Sequence, residues 1–422
     1  MGVSKHDAFE TDRQYFGAGG GEVMQKQLHY AVAIVGAGSA GLSVAARLLR
    51  ASKELRDSVV IVDPQAKHYY QPLWTLVGGG VVRKEITERN QQSLIPKGAD
   101  WLQERVAYFH PVENRIVTKT GTIVRYDVIV VAAGIQVDWD RIKGLRECIG
   151  RDGVCSNYDY NYVDSTWRSI REFRGGTAIF THPNTPIKCG GAPQKIMYLA
   201  DDAFRRSGVR DKSEIIFASG NESIFAVPKY AASLNQVVKR KGITTKYKLN
   251  LVEINSGNRE AIFEHVDTKE RETFRYDMIH VVPPMSSPSF IRDSPLAGPG
   301  GWTEVDKHTM QHVRYTNVFA LGDCSNLPTS KTGAAIRKQA PVVARNVLNV
   351  LAGQPPDASY DGYTSCPLVT GYNRLILAEF DYDLTPRETF PFDQSKERYS
   401  MYVLKKDLLP KLYWNGMLKG RM

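Results

Sequence analysis

No apolar run in the 422 residues approaches the roughly 20 that a membrane-spanning helix needs, which argues against a chain that crosses a bilayer. Cysteine is scarce and odd in number, five in all, so the chain is not a disulfide scaffold. That favours a reducing compartment, or cysteines kept for chemistry. The nine histidines have no metal-ligand spacing, and no haem-attachment or Ser/His/Asp arrangement is present, so no metal is expected. Residues 1–27 lack the apolar core of a secretory signal and read as a flexible tail. Asp7, Glu10, Asp12 and Glu22 in that tail also argue against an intact mitochondrial presequence. With 42% hydrophobic and 24% charged residues, wholesale disorder, collagen-like repeats and coiled coil are excluded.

What the chain does have is positive charge, +10 overall. Nucleic acid, anionic lipid or a small anion would suit it, and the lack of a recognition motif removes nucleic acid. Half of the excess lies between Lys396 and Met422, where seven Lys and Arg meet two acids. Tyr399, Met401, Tyr402, Leu408, Leu412, Tyr413 and Trp414 are interleaved with them, a pattern suited to a membrane surface.

The fold class reads as α/β with two Rossmann-like, FAD/NAD(P)-binding-type domains. A near-continuous apolar strand, Tyr30–Val35, is followed by Gly36, Gly38 and Gly41 in Gly-x-Gly-x-x-Gly spacing. An amphipathic helix comes next, then the strand Val59–Val62 ending in Asp63, 22 residues after Gly41. In that βαβ context Gly36 allows the turn, Gly38 lets a pyrophosphate approach, and Gly41 lets helix and strand pack closely. The amides of Ser39 and Ala40 would bind the pyrophosphate and Asp63 the ribose hydroxyls. Late in the chain, Gly322-Asp323 follows the strand Val318–Leu321, where two-domain flavoproteins place an Asp on the flavin ribityl chain. The helix start Lys331-Thr332-Gly333-Ala334 would point amides at the flavin edge. The cofactor expected is FAD.

A second βαβ unit spans Thr177–Ala218, but its loop, Thr181-His182-Pro183-Asn184-Thr185-Pro186-Ile187-Lys188-Cys189, has no glycine motif. Its prolines lack the amide donors a pyrophosphate needs, so electrons are not expected from a nicotinamide. A cysteine stands there instead. The expected domains are 28–150 with 301–355 for FAD, 151–300 for the second Rossmann-like unit, and 356–422 as a redox-cysteine and membrane-facing segment.

The stretches TPIKCGGAPQKIMYLADDAF, GDCSNLPTSKTGAA, YDGYTSCPLVTGYNRLILAEFDY and TFPFDQSKERYSMY resemble sulfide:quinone oxidoreductases of the mitochondrial type, also found in bacteria. The likeness runs from about Tyr30 to Trp414. It implies an FAD enzyme that oxidises hydrogen sulfide, reduces ubiquinone and hands sulfane sulfur to a small acceptor such as glutathione or sulfite. It also implies a peripheral protein of the mitochondrial inner membrane or the bacterial cytoplasmic membrane, and leaves a homodimer open. The family's redox cysteines map onto Cys189 and Cys366, joined at rest by a disulfide or trisulfide.

Cys189 precedes a helix and has Lys188 and Lys195 around it, which favours its thiolate. Cys366 lies in a turn-rich stretch before Pro367, read as a mobile, exposed loop. Hydrosulfide would attack there, leaving a persulfide. Cys148, Cys155 and Cys324 read as inert. By motif position Gln71 would lie near the FAD pyrophosphate, and Val106, in a strand running from Trp101, would read adenine through its backbone. Lys195 and Lys405 match family lysines beside the sulfide site. Asp164 stands where relatives carry Glu, and His182 reads as structural. Tyr372, Phe380, Phe390 and Phe392 are quinone-site candidates. Family members continue past the Trp414 region into a second amphipathic segment, whereas this sequence stops at Met422, so weaker membrane binding or a shortened C-terminus is expected.

Overall fold

The computed structural model describes residues 26–422, so most of the expected N-terminal tail lies outside the described residues. The first strand, β1 (Gln27–Val35), begins three residues earlier than its apolar run suggests. Gln27–Tyr30 pair with Ile123–Tyr126, so hydrogen bonding extends the strand past the point where hydrophobicity fades. Helix α1 (Ser39–Ala51) packs Leu42, Ala45, Leu48 and Leu49 inward and returns the chain to β2 (Val59–Val62), parallel to β1. On the other side of β1 lies β3 (Ile123–Val131), also parallel. Its far half pairs with Val318–Ala320, which carries the chain's late portion into the same sheet. All four β2 residues are buried, as a strand covered on both faces requires.

Ala99–Leu102 and Val106–His110 are separate strands on opposite edges of this sheet, not the single strand expected to carry Val106. The turn between them lets Leu102 pair with β2 while Val106 pairs with Thr118.

The second unit is an all-parallel sheet. At its heart β4 (Gly176–His182) is followed by helix α2 (Ala192–Arg206) and β5 (Ser213–Ser219), with Val154–Cys155, Met278–His280 and Thr244–Tyr247 completing it. Trp139, Ile142 and Leu145 share this unit's core with Ile179 and Ile216, so the chain joins it ahead of residue 150. Helix α3 (Gly333–Leu351) returns to the first unit and lies against α1. A hairpin follows, β6 (Thr364–Gly371) and β7 (Arg374–Phe380), packed on α2.

The chain then runs through helix α4 (Tyr399–Val403), a π turn over Leu404–Leu408, and helix α5 (Leu409–Asn415). Among the described residues no helix is long and apolar enough to cross a membrane.

Candidate active site

A loop and a strand bring together two cysteines 177 residues apart in sequence. Cys189 ends the loop after β4 and has a left-handed backbone, φ +57°, a conformation that costs a non-glycine residue energy and is held here by its surroundings. Its amide donates to the Lys331 carbonyl (2.8 Å), its own carbonyl accepts from Ala192, and His182 braces the next residue. His182 Nε2 lies 3.2 Å from the Gly190 carbonyl, and Nδ1 lies 2.9 Å from both the Pro183 carbonyl and the Asn221 side-chain amide nitrogen. Burial lowers the His182 pKa, which favours the neutral ring.

Cys366 is the third residue of β6, paired with Ala378 and 0% exposed, not part of a mobile loop. Turn residues precede it, but strand pairing with the apolar β7 begins at Thr364 and outweighs their local preference. The two Sγ atoms stand 4.0 Å apart as free thiols. A disulfide needs about 2.05 Å, so a small closure, or one inserted sulfur atom, would link them.

Lys195, on the first turn of α2 and only 2% exposed, places Nζ 3.2 Å from Cys189 Sγ. Lys405 is 4% exposed and donates to the Pro72 carbonyl (3.0 Å). The π turn holding it adds a residue to the helical register and turns a basic side chain inward from an otherwise solvent-facing run. The Cys366 thiol facing it, with the Lys195 and Lys405 charges, holds Cys189 well below the ordinary thiol range. The Cys189 sulfur and burial together push Cys366 up. Burial and the neighbouring Lys195 bring Lys405 down to about 7. The electrostatics thus favour negative charge on Cys189 over Cys366.

Sequence reasoning missed Tyr158, and it placed Lys188 with Cys189, whereas the cations that lower the Cys189 thiol are Lys195 and Lys405. Lys188 Nζ lies 5.7 Å from the Trp74 ring and 6.0 Å from that of Tyr158, and burial lowers it to about 8, partly offset by Asp323. The Tyr158 hydroxyl and both amide atoms of Asn157 are buried without a partner. Only contacts across the fold mark Asn157 and Tyr158; no local pattern does.

The remaining cysteines sit as expected. Cys148, Cys155 and Cys324 are buried, and burial raises the pKa of each. Asp164 pairs with Lys84 (2.7 Å) and is 56% exposed, an ordinary surface ion pair. Tyr372 donates to the Gly79 carbonyl (2.7 Å), with the Arg206 guanidinium 3.9 Å from its ring centre. Phe380 is buried against Phe225, and Phe390 stacks on Phe392.

The glycine-rich loop fits a dinucleotide. A Cβ at Gly36 (φ +108°) would overlap the Ala132 carbonyl, and one at Gly41 the Gly36 carbonyl. Gly38, by contrast, has nothing within 4 Å of that position, the open approach a pyrophosphate requires. Ser39 and Ala40 open α1, so their amides have no intrahelical acceptor. Asp63 accepts from Ala37 and Gln65 amides (2.7 Å each), and its remaining lone pairs are available to a ribose. Gln71 is exposed in a short turn just after His68, whose ring contacts the Ala37 carbonyl. Val106 is buried at the start of its strand.

At the other end of that site, Asp323 is half-buried, and desolvation raises its carboxyl while Lys331 and Lys188 oppose the rise. Lys331 commits its ammonium to the Asp323 and Ser325 carbonyls (2.7 and 3.1 Å). Thr332 caps α3 by accepting from Ala335 (3.1 Å), leaving the Gly333 and Ala334 amides free beside open space at Gly333. The Lys331 carbonyl that fixes Cys189 therefore belongs to the segment that would face a flavin. A second nucleotide finds no such welcome. In the loop at 181–189 the amides of Asn184, Lys188 and Cys189 are already taken by Asn250, Met285 and Lys331, and two prolines have none.

Two Rossmann-like units, one with a complete dinucleotide loop and the other with a cysteine where a second such loop would stand, define an FAD-dependent oxidoreductase. The comparisons agree. Residues 30–166 match the pyridine nucleotide-disulphide oxidoreductase family model. The chain is 48% identical over 393 residues to the mouse protein named sulfide:quinone oxidoreductase, mitochondrial, covering 93% of this chain and 87% of that one. It is 50% identical over 392 residues to the Dictyostelium discoideum protein of the same name, covering 92% and 86%. The solved sulfide:quinone oxidoreductase of Aquifex aeolicus superposes with a TM-score of 0.79 at 17% identity, over 93% of this chain and 92% of that one. The chain belongs to the sulfide:quinone oxidoreductase family.

Proposed function

We propose that this chain oxidises sulfide and reduces quinone, with Cys189 and Cys366 as the redox pair and FAD as the cofactor. The observation that carries this reading is the 4.0 Å approach of the two sulfurs with Lys195 3.2 Å from one of them. When bound, FAD accepts an electron pair from sulfur and passes it to quinone. Gly36, Gly38, Ser39, Ala40, Gly41 and Asp63 would hold its adenosine diphosphate half, with Gln71 and Val106 beside it. Asp323 and the amides after Lys331 and Thr332 would hold the flavin half.

The protein's own part is sulfur exchange. Starting from the bridged cysteines, HS⁻ forms a new S–S bond to Cys366 as the bridge to Cys189 breaks. The electron pair of the broken bond stays on Cys189 as thiolate, the better leaving group because Lys195 and Lys405 stabilise its charge. An acceptor thiolate or sulfite then takes the outer sulfur, leaving Cys366 as thiolate. Loss of two electrons from the two thiolates restores the bridge.

Attachment is proposed to be peripheral, at the mitochondrial inner membrane or a bacterial cytoplasmic membrane, through the basic C-terminal segment. Tyr399 and Leu408 are exposed there and Lys406 lies between them. Cys189→Ser and Cys366→Ser should each abolish sulfide-dependent quinone reduction while the purified proteins keep their flavin absorbance. Turnover retained in both variants would eliminate the mechanism.

A further inference from the structure

The C-terminal segment reaches the cofactor loop at one point. Tyr413, on α5, is 6% exposed and packed by Tyr70, Trp414 and His68, with ring centroids 4.5, 5.0 and 5.9 Å away. Its hydroxyl lies 2.7 Å from Ser39 Oγ and 2.5 Å from His68 Nε2, and His68 Nδ1 lies 3.1 Å from the Ala37 carbonyl.

The proton count permits one arrangement. A carbonyl only accepts, so His68 must carry its proton on Nδ1 and donate to Ala37. Burial brings the ring's pKa to about 4, so it is neutral and Nε2 is an acceptor. Tyr413 then donates to Nε2, and Ser39 Oγ–H donates to the Tyr413 oxygen. Both ends of this chain of hydrogen bonds, Ala37 and Ser39, flank Gly38, where the pyrophosphate would approach.

The segment is fastened beyond Tyr413 as well. Gly420 has φ +63°, and a Cβ there would meet the backbone of Ala46 and Arg47 on α1 at 2.9–3.1 Å, so only glycine allows so close a seat. Met417 and Leu418 are buried, and the Arg89 guanidinium lies 4.8 Å from the Trp414 ring centre.

We propose that the C-terminal segment is a clasp on the cofactor loop, with Tyr413 a positioning residue that holds Ala37 and Ser39 in their FAD-binding conformation through His68. The Ser39 hydroxyl is spent on Tyr413, so the loop presents main-chain amides to the pyrophosphate. The segment that carries Lys405 to the sulfurs is then also the one that retains the flavin. This rests on the FAD assignment; a wild-type protein without flavin absorbance would defeat that assignment and leave the clasp unasked.

The experiment follows flavin release from the full-length holoenzyme by the rise in flavin fluorescence on dilution, with far-UV circular dichroism melting in parallel. Tyr413→Phe keeps the packed ring and removes only the hydroxyl. It should speed release about tenfold, and Ser39→Ala combined with it should add little further. Leu418→Ala is the control, loosening the segment without touching the hydrogen bonds. The clasp is overturned if Tyr413→Phe releases flavin at the wild-type rate. It is equally overturned if Leu418→Ala speeds release as much for the same loss of melting temperature.

Discussion

At the scale of single residues, the chemistry turns on which charges surround one sulfur. Cys189 and Cys366 are both thiols by sequence, and only Cys189 lies within reach of Lys195. Lys405 adds a charge that pH controls. Its buried ammonium titrates near 7, far below the usual lysine range, so it is protonated below that pH and neutral above it. As pH rises through 7 the site loses one of the two cations that attract HS⁻ and steady the leaving thiolate. The pH profile of kcat/KM for sulfide should therefore carry a limb falling through about 7, and Lys405→Met should lower the plateau and remove that limb. A limb unchanged in the variant would assign it to another group.

At the scale of elements, the βαβ loop and the second helix set tolerances. Gly41→Ala would drive α1 away from the turn at Gly36, because the added methyl overlaps a carbonyl that has no room to retreat. The expected cost is about 1–3 kcal/mol of stability and fewer flavins per chain, read from the absorbance ratio of the purified protein. On α2, Asp201 is buried and accepts from Arg205, Arg210 and Lys241 (3.0, 2.6 and 2.9 Å). Asp201→Ala leaves Lys241, itself 5% exposed, with Asp202 as its remaining carboxylate and removes the acceptor shared by the two arginines, and should cost about 1–3 kcal/mol in urea unfolding. The three cations lower the Asp201 pKa, outweighing burial. That contribution is present above the unfolded carboxylate's value near 4 and is lost as pH falls through the lower folded one, so the variant should have a flatter acid limb.

At the scale of the whole molecule, the two units are arranged so that electrons enter from sulfur. The loop where a nicotinamide dinucleotide would sit has its amides bonded internally, and it delivers Cys189 toward the hairpin that carries Cys366. Anaerobic sulfide should bleach the flavin absorbance within a mixing time, and NADH in equal excess should leave it unchanged. Bleaching by NADH and not by sulfide would place this chain with NADH:quinone oxidoreductases in function despite its family.

The sequence by itself determined the βαβ units, the dinucleotide loop, Asp63 and Asp323, and the lack of a second nucleotide motif. Each of these depends on local spacing and on the period of apolar residues, which a linear string records. It misread Cys366, because Tyr363-Thr364-Ser365 looks like a turn until β7 supplies the hydrogen bonds that make it a buried strand. Only the tertiary structure decided that Tyr158 stands near the sulfurs, that Lys188 reaches toward Trp74 and Tyr158, that the π turn faces Lys405 inward, and that Tyr413 reaches Ser39 from 374 residues away. Those are contacts between surfaces formed after folding, set by burial and by hydrogen-bond partners that no short-range pattern encodes.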